Sequence, residues 1–225
     1  MKDLVILGAG GLAQEMAWLV EEINEIRSEW NILGYLDTSP ELVGKDVLGY
    51  PVLGGDDLAR KFRDAWFVSG VGDPRLKRRV IERMLREGIE NWATLVSPTV
   101  RVHPSNVLGR GVVIGRNSDL TVGNFLGDFS FLNIHVVIGH GVRIGTYTNI
   151  DPNVMINGEA RIGSTCLIGA NAFVRDVLVA DGVTVGAGSV VVKDVKKNCV
   201  VAGVPARVIR QGAPRHTLSK TERTD

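Results

Sequence analysis

Two hydrophobic rhythms divide the chain. In the first ninety or so residues, apolar positions alternate between short β-rich runs and helical stripes. Lys2 to Leu7 reads as a strand, after which Leu12, Met16, Leu19, Val20 and Ile23 fall on one face of a helix. Asn31 to Asp37 and Ala65 to Val71 read as two more strands. Arg75 to Arg86 reads as a charged amphipathic helix, with Asp73 as its cap and Pro74 in its first turn. Strands and helices alternating at these lengths predict a small open parallel sheet.

The second rhythm has a period of six. Every sixth residue from Val96 is aliphatic, through Val102, Leu108, Ile114, Leu120, Leu126, Leu132, Ile138, Ile144, Ile150, Ile156, Ile162 and Ile168 to Val174. The phase continues through Ala180, Gly186 and Val192 with weaker occupants. A repeat of this length marks a parallel β-helix, in which each short strand points one aliphatic side chain inward. The residue after the aliphatic is Gly at 109, 115, 127, 139, 145, 163 and 169, and Asn133, Asp151 or Asn157 elsewhere. All three types tolerate left-handed backbone, so the turns are expected there. Three strands of six residues give a three-sided prism of about eighteen residues per coil. The expected division is 1–94 for the α/β unit, 95–212 for the solenoid, and 213–225 for a polar tail.

Composition narrows the chemistry. The 225 residues include 26 Lys and Arg against 25 acidic residues, a net charge of +1 that offers no field for nucleic acid or anionic lipid. Apolar stretches are too short to span a bilayer and no signal peptide is evident, so a cytoplasmic location is expected. Cys166 and Cys199 have no ligand-spaced companions, which argues against a disulfide framework or a bound metal.

Gly8, Gly10 and Ala13 fit G-x-G-x-x-A between strand and helix, with Asp37 closing the second strand, which is a Rossmann-like arrangement. Three readings suit it: an NAD site, a site for a nucleotide-sugar diphosphate, or glycines that only permit close strand-to-helix packing. The solenoid offers no second domain to present a hydride acceptor, which favours the nucleotide sugar. Of the four histidines, His140 lies where the run of post-aliphatic glycines is interrupted by Asn133, Asp151 and Asn157.

The six-residue repeat resembles that of the hexapeptide-repeat acyltransferases, whose repeats form a left-handed parallel β-helix. With the amino-terminal motif, the chain is similar to the branch that includes bacterial sialic acid O-acetyltransferases and the N-acetyltransferases of nucleotide-linked 4-amino sugars such as bacillosamine and perosamine. That resemblance implies a homotrimer with active sites between neighbouring prisms. It implies acetyl-CoA as co-substrate, with no permanently bound cofactor. It places nucleotide-sugar contacts at Gly10, Gly11, Leu12, Asp37, Thr38, Gly72 and Asp73. His140 would be the general base with Asn133 beside it, and Asn149, Gly158, Ala170 and, with one residue of the repeat missing around Asp176, Ala187 would line the acetyl-CoA groove. The basic residues Lys193, Lys196, Lys197, Arg207 and Arg210 are candidates for CoA phosphates or for a solvated face.

One departure from the family pattern matters. Glu or Asp usually follows the base, and this chain has Gly141; His135, Asp128 or Asp151 are the substitutes considered. The reaction expected is N-acetylation of a nucleotide-linked amino sugar. O-acetylation of a sugar of the sialic acid type, and a catalytically silent solenoid that binds nucleotide sugar, are the alternatives.

Overall fold

In the computed structural model, which describes residues 1–212, both rhythms fold as distinct layers. The first strand, β1 (Lys2–Leu7), is buried from Leu4 onward and leads into α1 (Gly11–Ile26). Beyond it come β2 (Trp30–Leu36), a short hairpin of β3 (Asp46–Val47) and β4 (Tyr50–Gly54), then β5 (Trp66–Ser69) and α2 (Pro74–Arg86). The sheet order is β3-β4-β2-β1-β5, with β4, β2, β1 and β5 parallel and only the β3 edge antiparallel. The β3–β4 hairpin was not visible as a strand pattern, because Pro51 and flanking glycines break the alternation. Helix α1 buries Ala13, Met16, Ala17, Leu19, Val20 and Ile23. Helix α2 starts where expected, with Asp73 Oδ1 accepting from Leu76 N at 2.7 Å.

From Leu95 on, two-residue strands wind a left-handed β-helix with three faces. The first face stacks the strands at Leu95, Val113, Phe131, Asn149, Leu167 and Thr184, and is closed by the hairpin of Cys199–Gly203 and Ala206–Gln211. The second stacks the strands at Asp119, Val137, Met155, Phe173 and Val190; the third, those at Val107, Phe125, Arg143, Arg161 and Leu178. The inward residues from Ile114 to Val174 form one continuous core at 0–3% exposure. Each fully buried Ile or Leu contributes roughly 1.5–3 kcal/mol relative to an exposed one.

Two details of the repeat differ from expectation. The post-aliphatic glycines do not make the left-handed turns. Positive φ occurs two residues later, at Asn117, His135, Asn153 and Asn171 on one corner and at Gly123, Gly141 and Glu159 on another. The glycines are needed because coils meet there: a Cβ on Gly139 would lie 2.7 Å from Gly158 N, and one on Gly145 2.6 Å from Ser164 N. The phase also slips after Val174. Arg161 pairs with Leu178 and Ile168 with Val185, so that coil is one residue short. The inward positions are then Val179, Val185 and Val191, which are fully buried, rather than Ala180, Gly186 and Val192.

The α/β unit packs on the first face. Val113 and Phe131 join the core beneath α1, while Trp92, Phe129 and Tyr147 stack in sequence with centroids 5.1 and 5.2 Å apart. The polar tail expected at 213–225 lies outside the described residues.

Substituting Gly145→Ala forces a side chain against the next coil's backbone and is expected to cost about 1–3 kcal/mol. Asn171→Gly, at an exposed residue with φ of 60°, is expected to change stability by less than about 1 kcal/mol. Denaturant midpoints of the two variants check the distinction.

Candidate active site

At the carboxyl end of the small sheet, β1 and β5 diverge into loops on either side of the α1 N-terminus, the crevice where open α/β sheets bind ligands. The crevice is held together tightly. Asp37 accepts from Ala9 N at 2.7 Å through one carboxylate oxygen and from Ser39 N at 2.8 Å through the other. A Cβ on Gly70 would strike the Ala13 backbone, and Gly72 lies against Leu12. The packing role of the glycines is thus real. The α1 N-terminus is nevertheless open, because Gly10 offers no side-chain cap and its first turn carries no acid. Its N–H groups and the helix dipole favour an anion there.

Of the expected nucleotide-sugar set, Asp37 and Thr38 line a cleft of about 660 Å³ together with Gly8 and Val71. Gly10, Gly11, Leu12, Gly72 and Asp73 do not line it, Gly11 bordering a separate recess with Gln14, Trp18 and Leu48, and the carboxylates of Asp37 and Asp73 are engaged with backbone. The cleft wall is α2, which contributes Arg79, Arg83 and Arg86; Arg83 pairs with Asp56. These arginines were legible only as a charged helix face. Their i, i+4, i+7 spacing was the signal that one stripe of it is basic.

Behind the cleft the two units are clamped together. Lys77 of α2 is 3% exposed and donates to Asn149 Oδ1, while Asn149 Nδ2 donates to the Gly72 carbonyl at 2.6 Å. Arg75 donates to the Gly182 carbonyl at 2.7 Å. Asn149 was expected to line the acetyl-CoA groove. At 2% exposure, with its amide spent on Lys77 and Gly72, it presents nothing to a groove ligand and instead joins the two units.

The remaining expected residues divide between the two corners that border the second face. Asn133 leaves the first face and enters the second, next to Glu15, Met16 and Leu19 of α1. Ala170 and Ala187 stack on the same corner, Ala170 accepting from Gly188 N at 2.8 Å. His140 and Gly158 sit on the other corner, after the second face. The imidazole lies against Gly158, where a Cβ would come within 2.6 Å of both Cε1 and Nε2. Within one chain the second face therefore separates Asn133 from His140.

None of the three substitutes considered for the acid after His140 shares its corner. His135 occupies a left-handed turn beside Asn133, and Asp151 stacks one coil above Asn133. Burial raises the Asp151 carboxyl to about 6. Asp128 is on the third corner, paired with Arg110 at 3.1 Å. The acid beside the histidine is Glu159, with Oε1 3.6 Å from Nδ1. It is eighteen residues beyond Gly141, so the eighteen-residue coil read from the sequence was the signal that could have found it. Cys166 is buried on the third corner, and burial pushes its thiol up to about 11, which removes it as a nucleophile. Lys193, Lys196 and Arg207 border a recess of about 390 Å³ at the closing hairpin. No helix among the described residues is long and apolar enough to cross a membrane.

Comparison with known proteins places this geometry. Residues 3–84 match the family model of the PglD N-terminal domain. That match covers about a third of the chain, and the chain has the fold of the solved sugar acetyltransferases compared below. A histidine-to-asparagine mutant of perosamine N-acetyltransferase from Caulobacter crescentus, solved with CoA and GDP-perosamine, is 26% identical with a TM-score of 0.82; the match covers 92% of this chain and 97% of that one. The acetyltransferase domain of PglB from Neisseria gonorrhoeae, solved with acetyl coenzyme A, is 27% identical with a TM-score of 0.82, covering 92% and 99%. Serine acetyltransferase from Synechococcus elongatus is 32% identical over 123 residues, covering 52% of this chain. The chain spans only 45% of that enzyme. The relatives on both counts are acetyltransferases.

Burial lowers the Lys77 ammonium of α2 from its ordinary 10.5 to about 7. Between those values the unfolded chain holds a proton that the folded chain has lost, so stability rises with pH across about 7 to 10.5. Below about 7 both states are protonated and the full penalty applies. Unfolding midpoints measured from pH 6 to 10 are expected to show this rise in the wild type and its loss in Lys77→Met.

Proposed function

We propose that the protein is an acetyl-CoA-dependent acetyltransferase that N-acetylates a nucleotide-linked amino sugar, with His140 as general base. The observation that carries this reading is the imidazole laid over Gly158 on an exposed solenoid corner, in a chain that also carries an open helix N-terminus beside an arginine-walled cleft. The cleft suits a nucleoside diphosphate: Arg79 and Arg86 supply charge, and Gly8 on its lining leads within three residues to the uncapped α1 N-terminus. The same two-unit arrangement in the perosamine enzyme was solved with CoA and GDP-perosamine.

In this mechanism the amine nitrogen attacks the thioester carbonyl carbon while His140 Nε2 takes the proton it sheds. The carbonyl oxygen becomes an oxyanion. The Gly158 N–H, which donates to no backbone carbonyl among the described residues, lies beneath the imidazole and suits that charge. Collapse breaks the C–S bond, and the proton on His140 passes to the departing CoA sulfur. Buried Cys166 favours direct attack over an acyl-enzyme.

The two corners meet only across a subunit boundary. A neighbouring copy whose first-to-second corner rests against the His140 corner brings Asn133, Ala170 and Ala187 alongside His140 and Gly158. This arrangement makes the working unit a homotrimer, with acetyl-CoA lying between two prisms.

The test is thiol release from acetyl-CoA with a panel of UDP-, GDP- and dTDP-linked 4-amino sugars, together with light scattering for mass. Turnover with one acceptor is expected, falling about 10²–10⁴-fold in His140→Ala. A trimer mass is expected for both proteins. Gly158→Ala should displace the imidazole and lower kcat at least tenfold. Absence of turnover with every amino sugar refutes N-acetylation and directs the search to hydroxyl acceptors.

A further inference from the structure

We infer that Glu159, reaching from the following coil, is the residue that positions the His140 imidazole, in place of an acid at position 141. The inference rests on His140 being the base. The solenoid stacks Gly123, Gly141 and Glu159 one above another at eighteen-residue steps, with φ of 73°, 67° and 64°. Strand pairing of Val137 with Met155 and of Arg143 with Arg161 fixes that register on both sides of the turn. The two turns are bonded directly, Glu159 N donating to the His140 carbonyl at 2.9 Å.

The Glu159 carboxylate then folds back toward the histidine. A Cβ added to Gly141 would lie 2.9 Å from Glu159 Oε1 and 3.2 Å from its Cδ. The carboxylate thus occupies the space that a side chain at 141 would enter. It faces Nδ1 at 3.6 Å, and it is the one acidic partner of His140 among the ion pairs of the described residues. That separation is longer than the roughly 2.7–3.2 Å of a formed N–H···O bond, and catalytic hydrogen bonds commonly tighten only when substrate is bound. Both side chains are exposed in the single chain, at 67% and 69%, so neither is held away from the other.

The chemistry follows from which nitrogen the carboxylate addresses. A carboxylate at Nδ1 favours the tautomer with its proton there, and leaves the Nε2 lone pair directed over Gly158 to accept the substrate's proton. It also stabilises the imidazolium formed during attack. Gly141 is the counterpart of this arrangement, since a side chain at 141 and the Glu159 carboxylate compete for one volume.

The test compares wild type, Glu159→Gly, and the exchange Gly141→Glu/Glu159→Gly, which returns the acid to the residue after the histidine. Glycine already occupies this turn one and two coils below, so Glu159→Gly imposes no backbone strain. Two readouts are taken: kcat and KM with the acceptor found above, and imidazole ¹⁵N shifts of His140, which report the tautomer without substrate. Glu159→Gly is expected to lower kcat roughly 10- to 100-fold with KM within about twofold, and to abolish the preference for Nδ1–H. The exchange is expected to restore both. Wild-type kcat and an unchanged tautomer in Glu159→Gly overturn the inference. His140→Ala separates the two readings. If it is inactive while Glu159→Gly is not, only the positioning role falls. If His140→Ala retains full turnover, the base assignment falls, and with it any catalytic role for Glu159.

Discussion

The contact on which the rest of this protein depends is the coil-to-coil register of the solenoid. Each turn donates backbone N–H groups to the turn eighteen residues on, as from Asn133 to Ile150 at 2.9 Å and from Gly139 to Ile156 at 2.8 Å. Because each solenoid strand from Leu95 to Val191 is only two residues long, no single ladder could hold a coil in place. The three faces together do, with the aliphatic column inside them. That close approach dictates glycine after most inward residues. It brings Gly158 under His140 and the Glu159 carboxylate beside Gly141. The chemistry of the corner is therefore set by vertical neighbours rather than by neighbours in sequence.

The second constraint is the joint between the units. Lys77 is a buried cation with an amide as its hydrogen-bond partner, and burial accordingly depresses its ammonium. The Lys77–Asn149–Gly72 chain ties α2, the first solenoid face and the loop at the cleft rim into one network. Breaking one member leaves the others buried and unpaired, so the network is costly to disturb. It fixes where the arginine-walled cleft stands relative to the prism and its His140 corner.

The carboxylate beside His140 comes from an adjacent coil, and this has a physical consequence. The acid is free of the tight turn that follows the histidine, and its reach depends on the coil spacing of the solenoid. The one-residue contraction between Val174 and Leu178 lies one coil beyond Glu159, so the His140 corner itself keeps the regular eighteen-residue step.

The amino-acid sequence by itself determined the two-part architecture, the inward column from Ile114 to Val174 and the Asp73 cap. Those features are local or strictly periodic: a six-residue spacing, and a cap three residues from the N–H it accepts. It misplaced the left-handed turns, because glycine serves close approach as readily as positive φ; the missing residue around Asp176 was legible, but the strict six-residue count carried past it to Ala180, Gly186 and Val192. Only the tertiary structure decided that Asn149 accepts from Lys77, and that the Glu159 carboxylate folds back to 3.6 Å from the histidine instead of pointing away from the corner. The first joins residues seventy-two positions apart and depends on how the two units dock; the second depends on a side-chain conformation that the eighteen-residue repeat does not specify.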